Sequence, residues 1–368
     1  MKPRLLGHYR VQVRPDDGSG LETLVFASEG KRVVLEGQEF PTFVERVVPL
    51  LDGRHDLEEI KRSVEDVFEP DDLTACLSLL LENRVVEDAE LVALPSRAEE
   101  QLAPQLSYFR EIGLDPGEAL DRLARSKVSV VGLGAVGAVS ASALAASNVG
   151  NVRCIDGSAV SSVDPLLAQV FGRDDVGRLR AEVTRERILG VNAATSVEVL
   201  VEELRSDEDV AAAVAGSDFV LGCLDPGLVW MTNKLNKACL SEGIPWSTGT
   251  VSAFEGIVGP TVIPGDTACY LCYQMRSSAC DDDPEAALAE LEERDRNRTD
   301  GSLSRENLAF GAGIVGNMLA LEAFKALLGT VPATAGRILT LDLAACTTRL
   351  RVVLRHPSCP ACFGVAEA

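Results

Sequence analysis

The residues with the most distinctive chemical pattern are four cysteines arranged in two C-x-x-C pairs. Cys269 and Cys272 form the first pair, and Cys359 and Cys362 form the second. A C-x-x-C turn directs two thiolates at one ion, and two such turns complete the tetrahedral four-sulfur shell of structural zinc. The sequence therefore predicts structural zinc with no open coordination position. A redox-active C-x-x-C and unrelated core cysteines are the alternatives.

A second pattern is the glycine spacing G-x-G-x-x-G of Gly132, Gly134 and Gly137, which directly follows an apolar run over 128–131. A small-residue stretch and a second apolar run come next, and Asp156 ends that run about twenty residues past the glycines. This order predicts a Rossmann-type βαβ unit, with phosphate at the helix N-terminus and ribose at the acid. An NAD-dependent oxidoreductase is one reading of the glycines alone.

The six other cysteines have two predicted roles. Five lie in apolar surroundings and are expected to fill the core: Cys76, Cys154, Cys223, Cys239 and Cys346. Cys280 lies in a polar, acidic stretch and is the one candidate nucleophile, although no histidine lies near it in the sequence. Because Cys280 has no histidine near it to activate the thiol, we assign no cysteine a catalytic role.

Composition narrows the class of protein. The chain has 368 residues, is 46% hydrophobic and carries a net charge of −21, which argues against nucleic acid or anionic lipid as a main partner. We find no apolar run of the roughly 18 residues that a membrane span needs, and the N-terminus lacks the apolar region of a signal peptide. We expect a cytoplasmic protein of two domains.

Residues 1–90 are predicted to form a small domain of strands followed by helices. The expected strands cover 9–13, 23–27 and 31–35. The expected helices cover 42–51, 57–67 and 71–82, before a short closing strand at Val85 and Val86. This order suggests a winged-helix-like module.

The string VVPLLDGRHDLEEIKRSV, with the later LLLENRVVED, resembles the PqqD-like peptide-recognition element of ribosomal peptide biosynthesis. The resemblance implies that the leader segment of a precursor peptide adds as a strand to the edge of the third strand and lies beside the third helix. The residues implied in this site are Lys31, Arg32, Val33, Val34, Leu35, Leu73, Leu77 and Leu80. A DNA-binding winged helix and a dimerisation module remain the alternatives.

Residues 91–126 are predicted to be a polar linker, and residues 127–368 resemble the E1-like ThiF family in their order of elements. The string QLSYFREIG at 105–113 also resembles the element that precedes the glycine loop there. The resemblance implies an α/β Rossmann-like domain with a four-cysteine zinc site. It also implies that the apolar helix over 310–328 packs at a homodimer interface.

Active members of that family adenylate a carboxylate, and the residues implied in nucleotide binding are Gly132, Gly134, Gly137, Asp156, Arg180 and Asp225. Several neighbours depart from the family pattern. Residues 163–169 read VDPLLAQ where the family has S-N-L-x-R-Q, and no arginine occurs over 157–172. Arg180 stands where the family has its catalytic lysine, and Trp230 follows Asp225 where an arginine is expected. Whether ATP and Mg²⁺ still bind is left open.

The whole pattern resembles the ThiF-like leader-peptide-binding partners of YcaO-type cyclodehydratases. We therefore expect a dimeric, non-catalytic subunit that presents a precursor peptide for azoline formation by a separate enzyme. The alternative is an ATP-dependent adenylyltransferase of the same fold, acting on a peptide or carrier-protein carboxylate.

Overall fold

The computed structural model describes residues 1–14, 21–90, 96–202, 204–224, 229–286, 289 and 308–363. The chain divides into two compact units, unit 1 over residues 1–120 and unit 2 over residues 121–368.

Unit 1 contains a three-stranded antiparallel sheet and a small two-stranded one. The strands are β1 (Pro3–Leu5), β2 (Arg10–Arg14), β3 (Glu22–Ala27), β4 (Arg32–Gly37) and β5 (Val86–Asp88). The larger sheet has the order β2-β3-β4, and β1 pairs with β5. The three predicted strands are present, whereas β1 had no sequence signal because three residues are too few for an alternating pattern.

Three helices cover the larger sheet of unit 1, and two more lie in the segment predicted as a linker. They are α1 (Phe40–Arg46), α2 (Leu57–Ser63), α3 (Pro70–Glu82), α4 (Ser96–Glu111) and α5 (Pro116–Arg125). A capping box begins α2, where Asp56 accepts from the backbone N–H of Glu59 and the Glu59 side chain accepts from that of Asp56. The linker prediction overlooked apolar residues at helical spacing among the charges, and Leu106, Phe109 and Leu123 on these helices are fully buried.

Unit 2 is built on one mixed sheet of eight strands, so the predicted α/β fold is present. Its strands are β6 (Lys127–Val131), β7 (Asn151–Ile155), β8 (Ser196–Leu200), β9 (Phe219–Gly222), β10 (Trp246–Ser252), β11 (Glu255–Val258), β12 (Arg337–Asp342) and β13 (Thr347–Val352). The order is β13-β12-β11-β10-β9-β6-β7-β8. The five strands from β10 to β8 are parallel, and β10 to β13 form an antiparallel extension.

Helices connect the strands of this sheet and pack against it. They are α6 (Ala135–Ala146), α7 (Asp164–Leu167), α8 (Arg180–Val191), α9 (Asp207–Val214), α10 (Val229–Glu242), α11 (Tyr270–Ala279) and α12 (Ala309–Leu327). The hydroxyl of Ser140 in α6 donates toward the backbone carbonyl of Gly316 in α12 at 2.9 Å. Small residues allow this close approach, which fixes the helix that follows the glycine turn.

Two expectations need correction here. By length and composition α12 could cross a membrane, contrary to our reading of the sequence, but 56% of its apolar window is buried inside the protein, as in a core helix. Cys346 is exposed in the turn between β12 and β13 rather than buried in the core. Its apolar neighbours belong to a hairpin whose second strand, β13, is exposed throughout.

Candidate functional site

The glycine turn lies between β6 and α6, as the motif predicts. Gly132 has φ +86°, and a β-carbon there would come within 2.5 Å of the carbonyl oxygen of Cys223. A β-carbon on Gly137 would lie 1.9 Å from the carbonyl oxygen of Gly132. Gly132 is therefore required for its backbone conformation and for close packing, and Gly137 is required for close packing.

This turn opens onto a cleft of about 400 Å³ at the carboxyl ends of the parallel strands. Strands β7 and β9 lie on opposite sides of β6, so the chain order reverses at this point of the sheet. Open α/β sheets bind ligands at such a reversal. The cleft is lined by apolar and charged side chains together, among them Ile155, Leu204, Met231, Asp156, Arg180, Glu202, Arg205 and Trp230.

Asp156 faces the glycine turn from the end of β7. Its carboxylate accepts hydrogen bonds from the backbone N–H groups of Leu133 and Ser158, both at 2.7 Å. These bonds hold the carboxylate at the rim of the cleft, where the sequence predicts an acceptor for ribose hydroxyls.

Arg180 reaches the same cleft from the first residue of α8. Its backbone is fixed because residues 158–160 run antiparallel to residues 177–180. Three backbone hydrogen bonds join these segments, from Gly177 to Val160, from Val160 to Arg178 and from Arg180 to Ser158, at 2.8, 2.8 and 3.0 Å. The predicted cation therefore stands beside the predicted acid.

The guanidinium of Arg180 is held by a residue that the sequence reasoning passed over. Its Nε and Nη2 both donate to the carboxylate of Asp164 at 3.0 Å, and its Nη1 lies 3.9 Å from Asp156 Oδ2. Asp164 is only 4% exposed and also accepts from the backbone N–H of Ser161 at 2.7 Å. Two departures from the family pattern could have indicated this pair. Asp164 stands where the family has asparagine, and Arg180 stands where the family has lysine.

Other residues complete or limit this site. Asp225 lies outside the described residues, so its predicted place is neither supported nor opposed. Glu202 and Arg205 line the cleft without having been predicted there, because the loop after β8 carries no local motif. Trp230 also lines it, at the position where the family pattern has an arginine. Burial raises the pKa of the Cys223 thiol to about 12, so this cleft-lining cysteine is a neutral packing group.

The second predicted site, the cysteine cluster, is fully assembled. Cys269 caps the N-terminus of α11, Cys272 lies in its first turn, and Cys359 and Cys362 follow β13. The four sulfurs lie within 4.8 Å of one another, with Sγ–Sγ distances of 3.8 Å from Cys269 to Cys272, 3.6 Å from Cys269 to Cys359 and 3.5 Å from Cys272 to Cys362.

These distances fit a metal ion. Zinc with four sulfurs at about 2.3 Å separates neighbouring sulfurs by about 3.8 Å. The backbone N–H of His356 also points to Cys272 Sγ at 3.3 Å, which is the kind of contact that supports a thiolate ligand. Burial raises the pKa of the Cys269 thiol to about 11, so an ion must displace its proton on binding. The four cysteines could therefore hold a metal ion.

In unit 1, the strand of the predicted peptide site is partly accessible to solvent, whereas the predicted residues of its helix are buried. Strand β4 pairs only with β3 among the described residues, and Arg32 and Val34 are exposed along it. Leu73, Leu77 and Leu80, in contrast, are at most 2% exposed and belong to the core of unit 1. The prediction that these leucines line a groove is corrected, since their helical spacing marks the buried face of α3.

Near that strand, α3 presents other side chains. Leu79 is 46% exposed, and Lys31 donates to the backbone carbonyl of Asn83 just past the end of α3. The start of β4 is therefore tied to the C-terminal end of α3. Val34 and Leu79, rather than the buried leucines, are the apolar side chains that β4 and α3 expose to solvent.

Comparisons with known proteins place these features in context. The model of the ThiF family matches residues 102–361. A molybdopterin-synthase adenylyltransferase of Escherichia coli (strain K12) is 29% identical over 261 residues, covering 70% of this chain and 96% of that protein. A SAMP-activating enzyme E1 of Haloferax volcanii is 33% identical over 259 residues, covering 69% and 87%.

Solved structures extend the likeness to the whole chain at the level of fold. Escherichia coli MccB, solved with MccA-N7isoASN, has a TM-score of 0.76 at 18% identity, and the match covers 99% of this chain and 100% of that one. The same protein has been solved with ATP.

Proposed function

Since the chain belongs to the ThiF family, we propose that it is an ATP-dependent adenylyltransferase that activates a carboxylate of a peptide or carrier protein. The observation that carries the proposal is the formed cleft, in which the glycine turn, Asp156 and Arg180 meet at the reversal of the sheet. Similarity to the molybdopterin-synthase adenylyltransferase adds support. This places our earlier alternative ahead of the non-catalytic reading.

The reaction would use the residues of the cleft as follows. The N–H groups of Gly134 and of the start of α6 bind phosphate oxygens, while that of Gly132 donates to the carbonyl of Ile155 and holds the turn. Asp156 accepts from the ribose. Arg180 stabilises negative charge as the substrate carboxylate attacks the α-phosphorus and pyrophosphate leaves. Asp225 is proposed as a Mg²⁺ ligand from its position in the sequence alone.

We propose a peptide rather than a small molecule as the substrate. The domain boundaries proposed are residues 1–90 for PqqD-like recognition, 91–126 for connection and 127–368 for the E1-like body. In the part of the chain that the structure describes, one edge of β4 has no strand partner, and its exposed Arg32 and Val34 support addition of a peptide as a further strand. The fold likeness to MccB, which has been solved with an MccA peptide, fits this choice.

A non-catalytic role remains the second candidate, because one observation favours it. No arginine occurs over residues 157–172, and Arg180 is already bonded to Asp164. A cleft with fewer free cations would suit a protein that presents a precursor leader to a YcaO-type cyclodehydratase. The cytoplasm is the expected location in both cases.

Two structural features accompany the proposal. We propose zinc as the ion of the cysteine cluster, where it would tie residues 359–362 to α11 without taking part in the chemistry.

We also propose a homodimer through the outer face of α12. Phe310, Ile314 and Leu321 lie along that face and are 75%, 43% and 42% exposed.

Calorimetric titration of the zinc-loaded protein with Mg-ATP tests the proposal first. Saturable binding that is lost in Asp156→Ala is expected. Pyrophosphate exchange would then be measured with short peptides carrying either a free or an amidated C-terminus, and only the free acid should support exchange. Absence of ATP binding at millimolar nucleotide would reject the adenylyltransferase and leave the presenting subunit.

A further inference from the structure

We infer that Asp164 is a positioning residue that aims Arg180 at the phosphate chain of a nucleotide in the cleft. The inference rests on the proposed function, because it assigns a role within the same site. It starts from the bidentate bond by which Asp164 takes two of the three guanidinium nitrogens of Arg180.

The pair is built as an internal support. Asp164 is 4% exposed, and the side chain of Arg180 is 17% exposed. A bidentate carboxylate fixes both the position and the plane of a guanidinium, which a single hydrogen bond does not. The carboxylate is itself anchored, because the backbone N–H of Ser161 donates to it at 2.7 Å.

The bidentate bond leaves one guanidinium nitrogen of Arg180 without a bond to Asp164. Arg180 Nη1 makes no bond to Asp164 and lies 3.9 Å from Asp156 Oδ2, beyond hydrogen-bond distance. Arg180 also lines the cleft beside Gly132 and Gly134. Nη1 is therefore the guanidinium nitrogen left for a ligand, on a side chain that shares the cleft with the proposed ribose acceptor and the proposed phosphate turn.

Asp164 also keeps Arg180 from a competing partner. Without it, the guanidinium could rotate by the short distance needed to pair with Asp156, because opposite charges 3.9 Å apart attract. That pairing would occupy the ribose acceptor and withdraw the cation from phosphate. The negative charge of Asp164 therefore keeps Arg180 apart from Asp156, so that Arg180 is left to bind phosphate and Asp156 to bind ribose.

The test compares the affinities of the full-length, zinc-loaded protein for Mg-ATP and for adenosine by calorimetry. Asp164→Asn removes the charge and is expected to lower the ratio of ATP affinity to adenosine affinity about 10-fold or more, since charge-assisted bonds carry that much. A structural defect would lower both affinities together. Asp164→Glu keeps the charge one methylene further out and should change the ratio less. It replaces Asp164→Asn in the test if that variant does not fold.

Asp175→Asn is the matched control. Asp175 is also 4% exposed and accepts from Arg187 at 2.7 Å and from Arg178 at 3.0 Å, but it does not line the cleft. Its ATP-to-adenosine ratio should stay at the wild-type value. In an Arg180→Lys background, adding Asp164→Asn should change the ratio less than it does in the wild type, because the two residues act through one contact.

The outcomes separate the two claims. If the wild type binds no ATP, the proposed function and this inference both fail. If the wild type binds ATP but Asp164→Asn lowers both affinities equally or tightens ATP binding, only this inference fails. Tighter binding would mean that Asp164 holds Arg180 away from the nucleotide.

Discussion

The cysteine cluster and the nucleotide cleft lie in the same unit, yet they relate to the sequence in opposite ways. The cluster brings together all four predicted ligands, at sulfur separations that suit one ion. The cleft brings together the glycine turn, Asp156 and Arg180, but Asp164 and Trp230 stand at positions where the family pattern has other residues.

The difference teaches how each site depends on its surroundings. A C-x-x-C pair sets the distance between two ligands within one turn of chain, so only the meeting of two pairs depends on the fold. A cleft for a nucleotide collects single side chains from several strand ends, and each can change its partner. The sequence therefore predicts every ligand of the cluster, whereas in the cleft it predicts the glycine turn, Asp156 and Arg180 but not the partner that holds Arg180.

The largest expected effect comes from breaking the cluster. Cys272→Ser should lose the metal and lower the stability of the protein by about 4 kcal/mol or more, because ion binding to such a site contributes directly to folding. Metal content by mass spectrometry and thermal unfolding measure both effects. Cys280→Ser is the control, since Cys280 is exposed at the C-terminal end of the same helix. One ion still bound to Cys272→Ser would contradict the four-cysteine site.

The next effect comes from filling the glycine turn. Gly137→Ala places a methyl group 1.9 Å from the carbonyl oxygen of Gly132, so the turn must shift. ATP affinity should fall about 100-fold while the metal content stays unchanged, because displacement of a binding group by about 1 Å has effects of that order. Calorimetry with Mg-ATP measures the change.

Gly190→Ala is the matched control for that substitution. Gly190 is also a helical glycine, but a β-carbon there would meet nothing within 4 Å. Unchanged ATP binding is expected, with stability equal to or up to about 1 kcal/mol above the wild type. Equal losses of ATP binding in both variants would show that the cleft does not depend on the turn.

The fold was largely predictable, and the details of the cleft were not. The run over 128–131, the glycines and Asp156 have local signals that need no knowledge of distant residues. Leu73, Leu77 and Leu80 have the spacing of a helix face, but spacing alone does not say whether that face meets the core or a ligand. Asp164 and Arg180 are sixteen residues apart and pair only because residues 158–160 and 177–180 lie side by side.

The smallest expected effect comes from Asp175, whose ion pairs support the fold, in contrast to Asp164, whose ion pair with Arg180 we propose to serve the cleft. Burial by itself would raise the pKa of Asp175, but hydrogen bonds from the N–H of Gly172 and from Arg187 outweigh it and hold the pKa below its usual value. A lowered pKa means that the folded protein binds the proton less readily than the unfolded chain does. The stabilisation is therefore complete above about pH 4 and is lost as the pH falls through the lowered value.

Asp175→Asn should accordingly cost about 1–2 kcal/mol at pH 7, the range for charged hydrogen bonds whose arginine partners stay half-exposed. The difference from the wild type should be unchanged at pH 5 and should shrink toward pH 3, where the wild-type carboxyl becomes protonated. Urea unfolding at the three pH values measures it. A difference that persists unchanged at pH 3 would show that the variant acts through packing, so the charge of Asp175 would no longer serve as the structural counterpart of Asp164.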